Sequence, residues 1–205
     1  MRPKTKPIPL STKRAATLSF PSLFFGAVAA LLVLVAIGAR VEATVLESVS
    51  TQKLVKRSGW IVRGQVKCRR SFWNRKKTRI YTRVTLKVTK SYKGGSQPGE
   101  TLTLLVLGGQ VGRVVQRVLG TPRFKPREEV VVFLQKRGAY RMVVGMTQGK
   151  FRLEKDKRSG RLYAFRNLSA VRASKTGRRL PARLQLSALE ALIEKAVRRS
   201  SKGGP

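Results

Sequence analysis

An alternation of apolar and polar residues between Ile80 and Thr89 constrains the fold of this chain more than any other feature of its sequence. Every second residue belongs to a mostly apolar series: Ile80, Thr82, Val84, Leu86 and Val88. The residues between them are polar or basic: Tyr81, Arg83, Thr85, Lys87 and Thr89. Because successive side chains of a strand point to opposite faces, this period of two predicts a β-strand with one dry face and one wet, basic face.

Several further segments have the length and composition of strands, and short turn sequences separate them. They are Trp60 to Cys68, with a bend or bulge at Gly64, then Thr101 to Leu107, Val130 to Leu134 and Tyr140 to Val144. A last hairpin is predicted to join residues 151–153 to residues 162–165 through the turn at 156–160. Strands at short, regular spacing without intervening helices are typical of an antiparallel barrel or sandwich. We therefore predict a mainly β fold, a small antiparallel β-barrel.

Two segments have the helical period, one on each side of the strand region. Ser50 to Ser58 predicts a short N-terminal helix that buries Leu54 and Val55. Near the C-terminus, Ser187 and Glu190 have the spacing of a capping box. The apolar face of the helix that follows consists of Leu189, Leu192, Ile193, Ala196 and Val197. This C-terminal amphipathic helix is expected to cover an open barrel end or to dock on the sheet.

The N-terminus has the three-part form of a secretory signal. Basic residues between Lys4 and Arg14 precede a charge-free apolar segment, Leu23 to Ala39, and small residues around Ala43 follow it. The apolar segment lies at the upper length limit for the apolar core of a signal peptide and at the lower limit for a membrane span, so an uncleaved anchor is the alternative. In both cases the rest of the chain is expected outside the cytoplasm, in the periplasm, at the envelope or in the medium.

These patterns predict five regions along the chain. Residues 1–43 are the signal peptide or anchor, 44–166 the β-barrel domain, and 167–186 a polar linker. The C-terminal helix is expected over 187–199, and residues 200–205 are expected to form a disordered tail.

The charge balance predicts an anionic partner. The chain has 45 lysines and arginines but only 9 aspartates and glutamates, a formal net charge of +36 over 205 residues. Such an excess is typical of proteins that bind nucleic acid, an acidic membrane surface or a charged envelope polymer. A basic surface that is merely solvated is the alternative, because net charge bears on association and not on the fold.

The residue inventory argues against an enzyme. The chain has no histidine, so the usual general base near neutral pH and the commonest metal ligand are both missing. Glu128 and Glu129 are neighbours that would point to opposite faces of a strand, and Glu190 and Glu194 lie four residues apart on the helix. We interpret both pairs as structural, and we expect no cofactor and no metal. The single cysteine, Cys68, is interpreted as a small buried hydrophobe, with a disulfide to a second copy as the alternative.

A glycine-rich stretch from Leu107 to Phe124 raises the question of a phosphate-binding loop. Gly108, Gly109 and Gly112 fit neither the Walker pattern nor the dinucleotide-binding pattern. The residues that follow, 113–118, are rich in β-branched side chains and favour an irregular strand over a helix. We therefore predict a bent connection between strands, with glycines at positive φ.

The strongest candidate for a binding surface is the segment between the first two predicted strands. Its residues are Arg69, Arg70, Phe72, Trp73, Arg75, Lys76, Lys77 and Arg79, with Arg83 on the strand that follows. The cations would neutralise phosphates and release counterions, and exposed rings would stack on bases or insert at a lipid interface. The alternative is a hairpin whose two rings fold back into the core while the charges are solvated.

The motif succession resembles that of uncharacterised secreted bacterial proteins. The resemblance rests on the following motifs: Arg57-Ser58, Trp60 to Val66, Tyr81 to Val88, Tyr92 to Gly94, Gly108-Gly109, Gly120 to Phe124, Glu128 to Leu134 and Gln148 to Phe151. That group implies no activity. The first two strands and Tyr92-Lys93-Gly94 also resemble the oligonucleotide/oligosaccharide-binding (OB) barrel of the netrin and tissue-inhibitor-of-metalloproteinase type. The resemblance implies an OB-like barrel, but not protease inhibition, because the N-terminal cysteine and the disulfides of those domains are absent.

Taken together, the sequence predicts an exported, non-catalytic protein that binds anionic envelope or extracellular polymer through a basic surface. One alternative is a structural or partner-docking envelope protein held by an uncleaved anchor. Nucleic-acid binding is a further alternative.

Overall fold

The computed structural model describes residues 46–169, 171–172 and 181–202, all within the compact unit Thr44–Pro205. The chain is mainly β, with an antiparallel sheet curled into a half-barrel, a short helix before it and a second helix at the C-terminal end. The predicted fold class is therefore confirmed. The predicted signal or anchor, including Leu23 to Ala39, lies outside the described residues.

The helices and strands have the following bounds. The strands are β1 (Leu46–Glu47), β2 (Trp60–Trp73), β3 (Ile80–Lys93), β4 (Thr101–Leu107), β5 (Gly109–Val111), β6 (Val114–Gln116), β7 (Glu129–Arg137), β8 (Tyr140–Val143), β9 (Lys150–Lys155), β10 (Leu162–Arg166), β11 (Val171–Arg172) and β12 (Arg183–Gln185). The helices are α1 (Thr51–Arg57) and α2 (Leu186–Lys202), and Met146–Gly149 forms a 3-10 turn.

The main sheet runs in the order β12-β10-β9-β7-β2-β3-β4, and β8 pairs with β7 beside β9. All of these pairings are antiparallel. The edge strand β4 contacts β8, which brings the far edge of the sheet back towards β7. This contact gives the sheet its barrel-like curl. Two small pairings stand apart from it, β1 with β11 in parallel and β5 with β6 as a hairpin.

Where they pair with each other, β2 and β7 bury side chains on both of their faces. One face supplies Val62, Val130 and Val132 to the interior of the half-barrel. The other face supplies Ile61 and Phe133 to a second core, which the two helices, β9 and β10 complete. The run of apolar residues in β7 follows from this position, since a strand that is covered on both sides needs no polar alternation.

Helix α1 forms as predicted, and helix α2 differs from the prediction at both ends. Ser50 accepts the N-cap hydrogen bond of α1 from the Lys53 backbone N–H, and Leu54 is buried. Helix α2 begins at Leu186, so Ser187 lies inside its first turn and does not cap it. The predicted apolar face is correct except at Leu192, whose side chain is 45 % exposed.

The predicted linker and tail are partly wrong. Residues 183–185 of the linker form β12, which pairs with β10 and extends the main sheet. Residues 171–172 of the linker form β11. Helix α2 continues through Lys202, into the predicted tail. Residues 170, 173–180 and 203–205 lie outside the described residues.

The first predicted strand is longer than its sequence pattern indicates. The pattern ends at Cys68, whereas β2 continues to Trp73, because its last residues stay paired with the start of β3. Register shifts interrupt this pairing, one of them between Arg63 and Gly64, as the predicted bulge requires. A Cβ atom at Gly64 would lie 2.6 Å from the carbonyl oxygen of Lys87.

We predict that Gly64→Ala lowers the free energy of unfolding by about 1–3 kcal/mol, because the added methyl group forces two central strands apart. Urea denaturation measures the change. Gly59→Ala is the matched control, since a Cβ atom there has no neighbour within 4 Å. Equal stability of the two variants would contradict this account of the bulge.

Candidate functional site

The predicted binding residues lie at one end of the β2–β3 hairpin, but the structure distributes them over two strand faces and a turn. Arg70 and Arg83 are cross-strand partners, and both are exposed. Arg69 pairs in register with the buried Val84 and therefore lies on the interior face, at the mouth of the half-barrel. The proposed surface is thus not one continuous patch.

The outer face of the hairpin carries an aromatic and cationic ladder. The rings of Phe72 and Tyr81 stack at a centroid distance of 6.3 Å. The guanidinium of Arg83 lies 5.5 Å from the centre of the Phe72 ring. Both rings are half-buried, so Phe72 neither enters the core nor stands free in solvent. The Arg83 guanidinium therefore lies against the Phe72 ring, and Arg70 lies beside it as its cross-strand partner.

Trp73 differs from Phe72 in its orientation. Its register partner is Ile80, which is buried in the interior, so Trp73 lies on the interior face and is half-buried. Trp73 therefore fits the alternative in which the aromatic ring folds back towards the core. Phe72, on the outer face, fits better the alternative in which an exposed ring stacks on a ligand.

The turn after β2 is fixed by Asn74. Its Oδ1 accepts hydrogen bonds from the backbone N–H groups of Thr78 at 2.8 Å and Arg79 at 3.0 Å. Lys77 takes a positive φ of 52° to complete the turn. Arg75, Lys76, Lys77 and Arg79 are exposed on it. The turn therefore presents four cations on an ordered backbone.

A cavity of about 650 Å³ opens beside the hairpin, at the mouth of the half-barrel. Its basic lining residues are Arg69, Arg117 and Arg123. Arg69 donates a hydrogen bond to the carbonyl oxygen of Phe124 at 3.3 Å, and Ser71 and Thr82 are hydrogen-bonded to each other at 2.9 Å. The cavity is lined by cations and contains no acidic residue among its described lining residues.

The glycine-rich stretch is the bent connection that the sequence predicts. Residues 109–111 and 114–116 pair as the β5–β6 hairpin. Gly108, Gly109, Gly112 and Gly120 all have positive φ. Gly108 also lies against the Gln116 carbonyl, where a Cβ atom would approach to 2.6 Å. The hairpin forms one wall of the cavity and carries Gln116, whose side chain accepts from the Ile80 backbone N–H.

The carboxylates are engaged in contacts that hold the fold together. Glu129 binds Arg63 at 2.7 Å across β2 and β7, and Glu190 binds Lys90 at 3.3 Å between α2 and β3. Among the described residues, none of the seven predicted surface cations forms a salt bridge. The acidic groups thus stabilise the sheet and helix, while the hairpin cations remain uncompensated.

Glu128 forms the most buried ion pair among the described residues. Its carboxylate lies 2.7 Å from the Lys150 ammonium, and both side chains are at most 10 % exposed. Burial lowers the pKa of Lys150, although the hydrogen bond and the charge of Glu128 oppose that shift. The Lys150 ammonium also lies 4.6 Å from the centre of the Phe124 ring. This pair links β9 to the segment before β7.

Cys68 is exposed, so its interpretation as a buried hydrophobe is wrong. Its register partner is Thr85, on the outer face of the hairpin. The wet face of β3 extends across to β2 at this position, which the local sequence around Cys68 does not show. Within the described ranges, no group of three potential metal ligands lies close enough to hold an ion.

No protein-family model, curated protein or solved structure matches the chain. No helix in the part of the chain that the structure describes is long and apolar enough to span a bilayer.

Sequence reasoning missed Arg117 and Arg123, which line the cavity together with Arg69. These two arginines belong to a segment whose irregular backbone gives no periodic signal. Their basic character and the neighbouring Gly120 and Pro122 were the available signals, since a rigid turn holds adjacent side chains in place.

Tyr92 provides a pH-dependent test of the contact between α2 and the sheet. Its hydroxyl donates to Glu190 at 2.5 Å, and burial, followed by this hydrogen bond and the charge of Glu190, raises the pKa of Tyr92. We predict that Tyr92→Phe lowers the free energy of unfolding at pH 7 by about 1–2 kcal/mol.

Because the folded-state pKa is raised, the contribution of Tyr92 is complete below the unfolded-state pKa of about 10 and is lost as the pH rises beyond it. The wild-type protein should therefore lose more stability than Tyr92→Phe between about pH 9 and 11. Urea denaturation over this range measures the difference. The control is Tyr140→Phe at an exposed tyrosine. Parallel pH curves for wild type and Tyr92→Phe would reject the assignment.

Proposed function

We propose that this chain is an exported, non-catalytic protein that binds an anionic envelope or extracellular polymer through the β2–β3 hairpin. The observation that carries the proposal is the set of uncompensated cations on an ordered hairpin, beside a cavity that is also lined by arginines. Each cation that meets an anionic group of the polymer releases a counterion, so binding gains free energy that falls with added salt.

Two features favour a binding role over simple solvation of charge. The first is the stack of Phe72, Tyr81 and Arg83, which holds an aromatic edge and a cation in one geometry. The second is the Asn74-fixed turn, which lowers the entropy cost of placing its cations. Export and the resemblance to secreted bacterial proteins remain part of the proposal and rest on the sequence of residues 1–43 and on the motifs of β2, β3 and β7.

The test replaces the six cations of the hairpin by serine: Arg69, Arg70, Arg75, Lys76, Lys77 and Arg79. We predict weaker binding to polyphosphate and a salt dependence that is flatter by several units of log K per log salt, because each phosphate contact contributes ~0.7–0.9 to the slope. Fluorescence anisotropy at several salt concentrations measures both quantities, with single-stranded DNA as a second probe that tests the nucleic-acid alternative.

A control variant removes the same charge from exposed positions elsewhere in the fold. Its serine substitutions are at Lys53, Lys136, Arg137, Lys157, Arg158 and Lys195, which are all exposed. Since net charge is matched, a difference between the two variants reports the location of binding. An equal loss of affinity and slope in both variants would show that the protein binds through diffuse charge and would reject the hairpin.

Docking on an anionic membrane surface is the second candidate function, and one observation favours it. Val114, Val115 and Leu119 are 50 %, 52 % and 67 % exposed, and Arg113 and Arg117 lie among them. Apolar side chains flanked by cations are the composition that inserts at a lipid interface. We expect Val115→Ser with Leu119→Ser to reduce binding to phosphatidylglycerol vesicles at high salt. Retention of vesicle binding by this double variant would reject the candidate.

A further inference from the structure

A second cavity has a volume of about 1050 Å³. It shares the 117–123 segment as a wall with the cavity at the barrel mouth. Residues of that segment form one wall, and residues of β9, β10 and the approach to β12 form the others. Seven of the described lining residues are basic and one, Glu128, is acidic. Glu128 pairs with Lys150, Glu154 with Arg152 and Asp156 with Arg183. Four lining cations have no carboxylate partner among the described residues: Arg117, Arg123, Lys125 and Arg166.

Arg166 places a buried positive charge in the wall of this cavity. Its side chain is 5 % exposed. Its Nε donates to the carbonyl oxygen of Gln148 at 2.9 Å, and its Nη2 donates to that of Val49 at 2.8 Å. No carboxylate among the described residues pairs with it, and burial lowers its pKa to about 10. A guanidinium has five N–H donors, so Arg166 has donors left for a further acceptor.

Two threonine hydroxyls in the same wall lack a hydrogen-bond partner. They are the Oγ1 atoms of Thr121 and Thr147, and Thr147 is only 8 % exposed. The two residues are held near each other, because the Thr147 backbone N–H donates to the Gly120 carbonyl at 2.8 Å. Thr147 is also next in sequence to Gln148, whose carbonyl binds Arg166. A buried hydroxyl without a partner is costly unless a ligand satisfies it.

We propose that this cavity is a binding site for a phosphate or sulfate ester, with Arg166, Thr121 and Thr147 contacting the tetrahedral oxyanion. The oxyanion supplies what the wall lacks, namely a negative charge for the guanidinium and acceptors for the two hydroxyls. Hydrogen bonds between ionised partners are the strong ones, and a guanidinium matches two oxygens of a phosphate or sulfate group.

The size of the cavity indicates that the anion is part of a larger molecule. One water occupies about 30 Å³ of liquid, so the cavity far exceeds an inorganic oxyanion. Phe165 lines the wall, with the guanidinium groups of Arg152 and Arg183 each 5.6 Å from its ring centre. This flat surface suits a sugar ring that carries the ester. The site is separate from the hairpin and does not depend on the function proposed for it.

The test uses the full chain with Thr121→Val and Thr147→Val together, which keeps shape and net charge and removes only the two hydroxyls. The probes are inorganic phosphate and inorganic sulfate, and chloride at equal ionic strength is the reference. We expect calorimetric titration to give a Kd at least tenfold weaker for the double variant than for wild type. The difference between the two probes shows which ester the cavity prefers.

The melting temperature is a second readout, which distinguishes loss of the site from misfolding of the variant. Without added oxyanion, the double variant should melt at or above the wild-type temperature, because it no longer buries two unsatisfied hydroxyls. A clear drop in its melting temperature would contradict the proposal, since it would mean that the hydroxyls already have partners. Thr89→Val, at an exposed position of β3, is the matched control and should retain the wild-type Kd.

Two results would overturn the site. One is a wild-type Kd that chloride at the same ionic strength reproduces, which would mean charge screening only. The other is an equal Kd for wild type and the double variant. The serine variants of the hairpin and of its charge-matched control should bind phosphate equally well, so loss of the hairpin function and loss of this site are distinguishable.

Discussion

Burial on both faces of the segments where β2 and β7 pair is the constraint on which the rest of the structure depends. The valines of one face fill the half-barrel, and Ile61 and Phe133 of the other face hold the helical layer. Because the two cores share the same strands, the loops that leave them start from a rigid base. The hairpin beyond Val66 and the segment before Glu129 both extend from these strands, and each carries a wall of a basic cavity.

Although acidic residues are scarce, three of the ion pairs join separate elements of the fold. Glu129 links β7 to β2, Glu128 links the segment before β7 to β9, and Glu190 links the C-terminal helix to β3. Each of these pairs lies between two elements of the fold. Without the pairs, repulsion between the many cations would favour separation of the elements at these contacts. The remaining cations are left to face solvent or a ligand. The few carboxylates therefore contribute to stability, while most cations of the described residues have no carboxylate partner.

The sequence predicted the strands well where periodicity was strong, and poorly where tertiary pairing decided the outcome. Ile80 to Val88 alternates because one face is dry, and the structure buries the predicted members. The extension of β2 to Trp73 was missed, because its arginines resemble a loop and only pairing with β3 makes them a strand. Cys68 is exposed because its pairing with Thr85 of β3 places it on the outer face of the hairpin.

In the candidate sites too, features that are local in the sequence could be predicted and those that depend on tertiary structure could not. The hairpin cations could be predicted, because they are close together in the sequence and aromatic residues lie among them. The second cavity could not be predicted, since Thr121, Thr147 and Arg166 come from separate segments of the chain. A hydroxyl without a hydrogen-bond partner also has no signature in the sequence. Only the folded chain brings the turn before Phe124 against the end of β10.

The exposed thiol of Cys68 has a consequence for how two copies could meet. It lies on the hairpin face that also carries Arg70 and Arg83, two residues farther along β2 and β3. A disulfide between two such thiols would press two arginine pairs together, and Coulomb repulsion opposes that approach at low ionic strength. An anionic chain lying between the two faces would cancel the repulsion, so an anionic polymer would favour oxidative cross-linking of two copies.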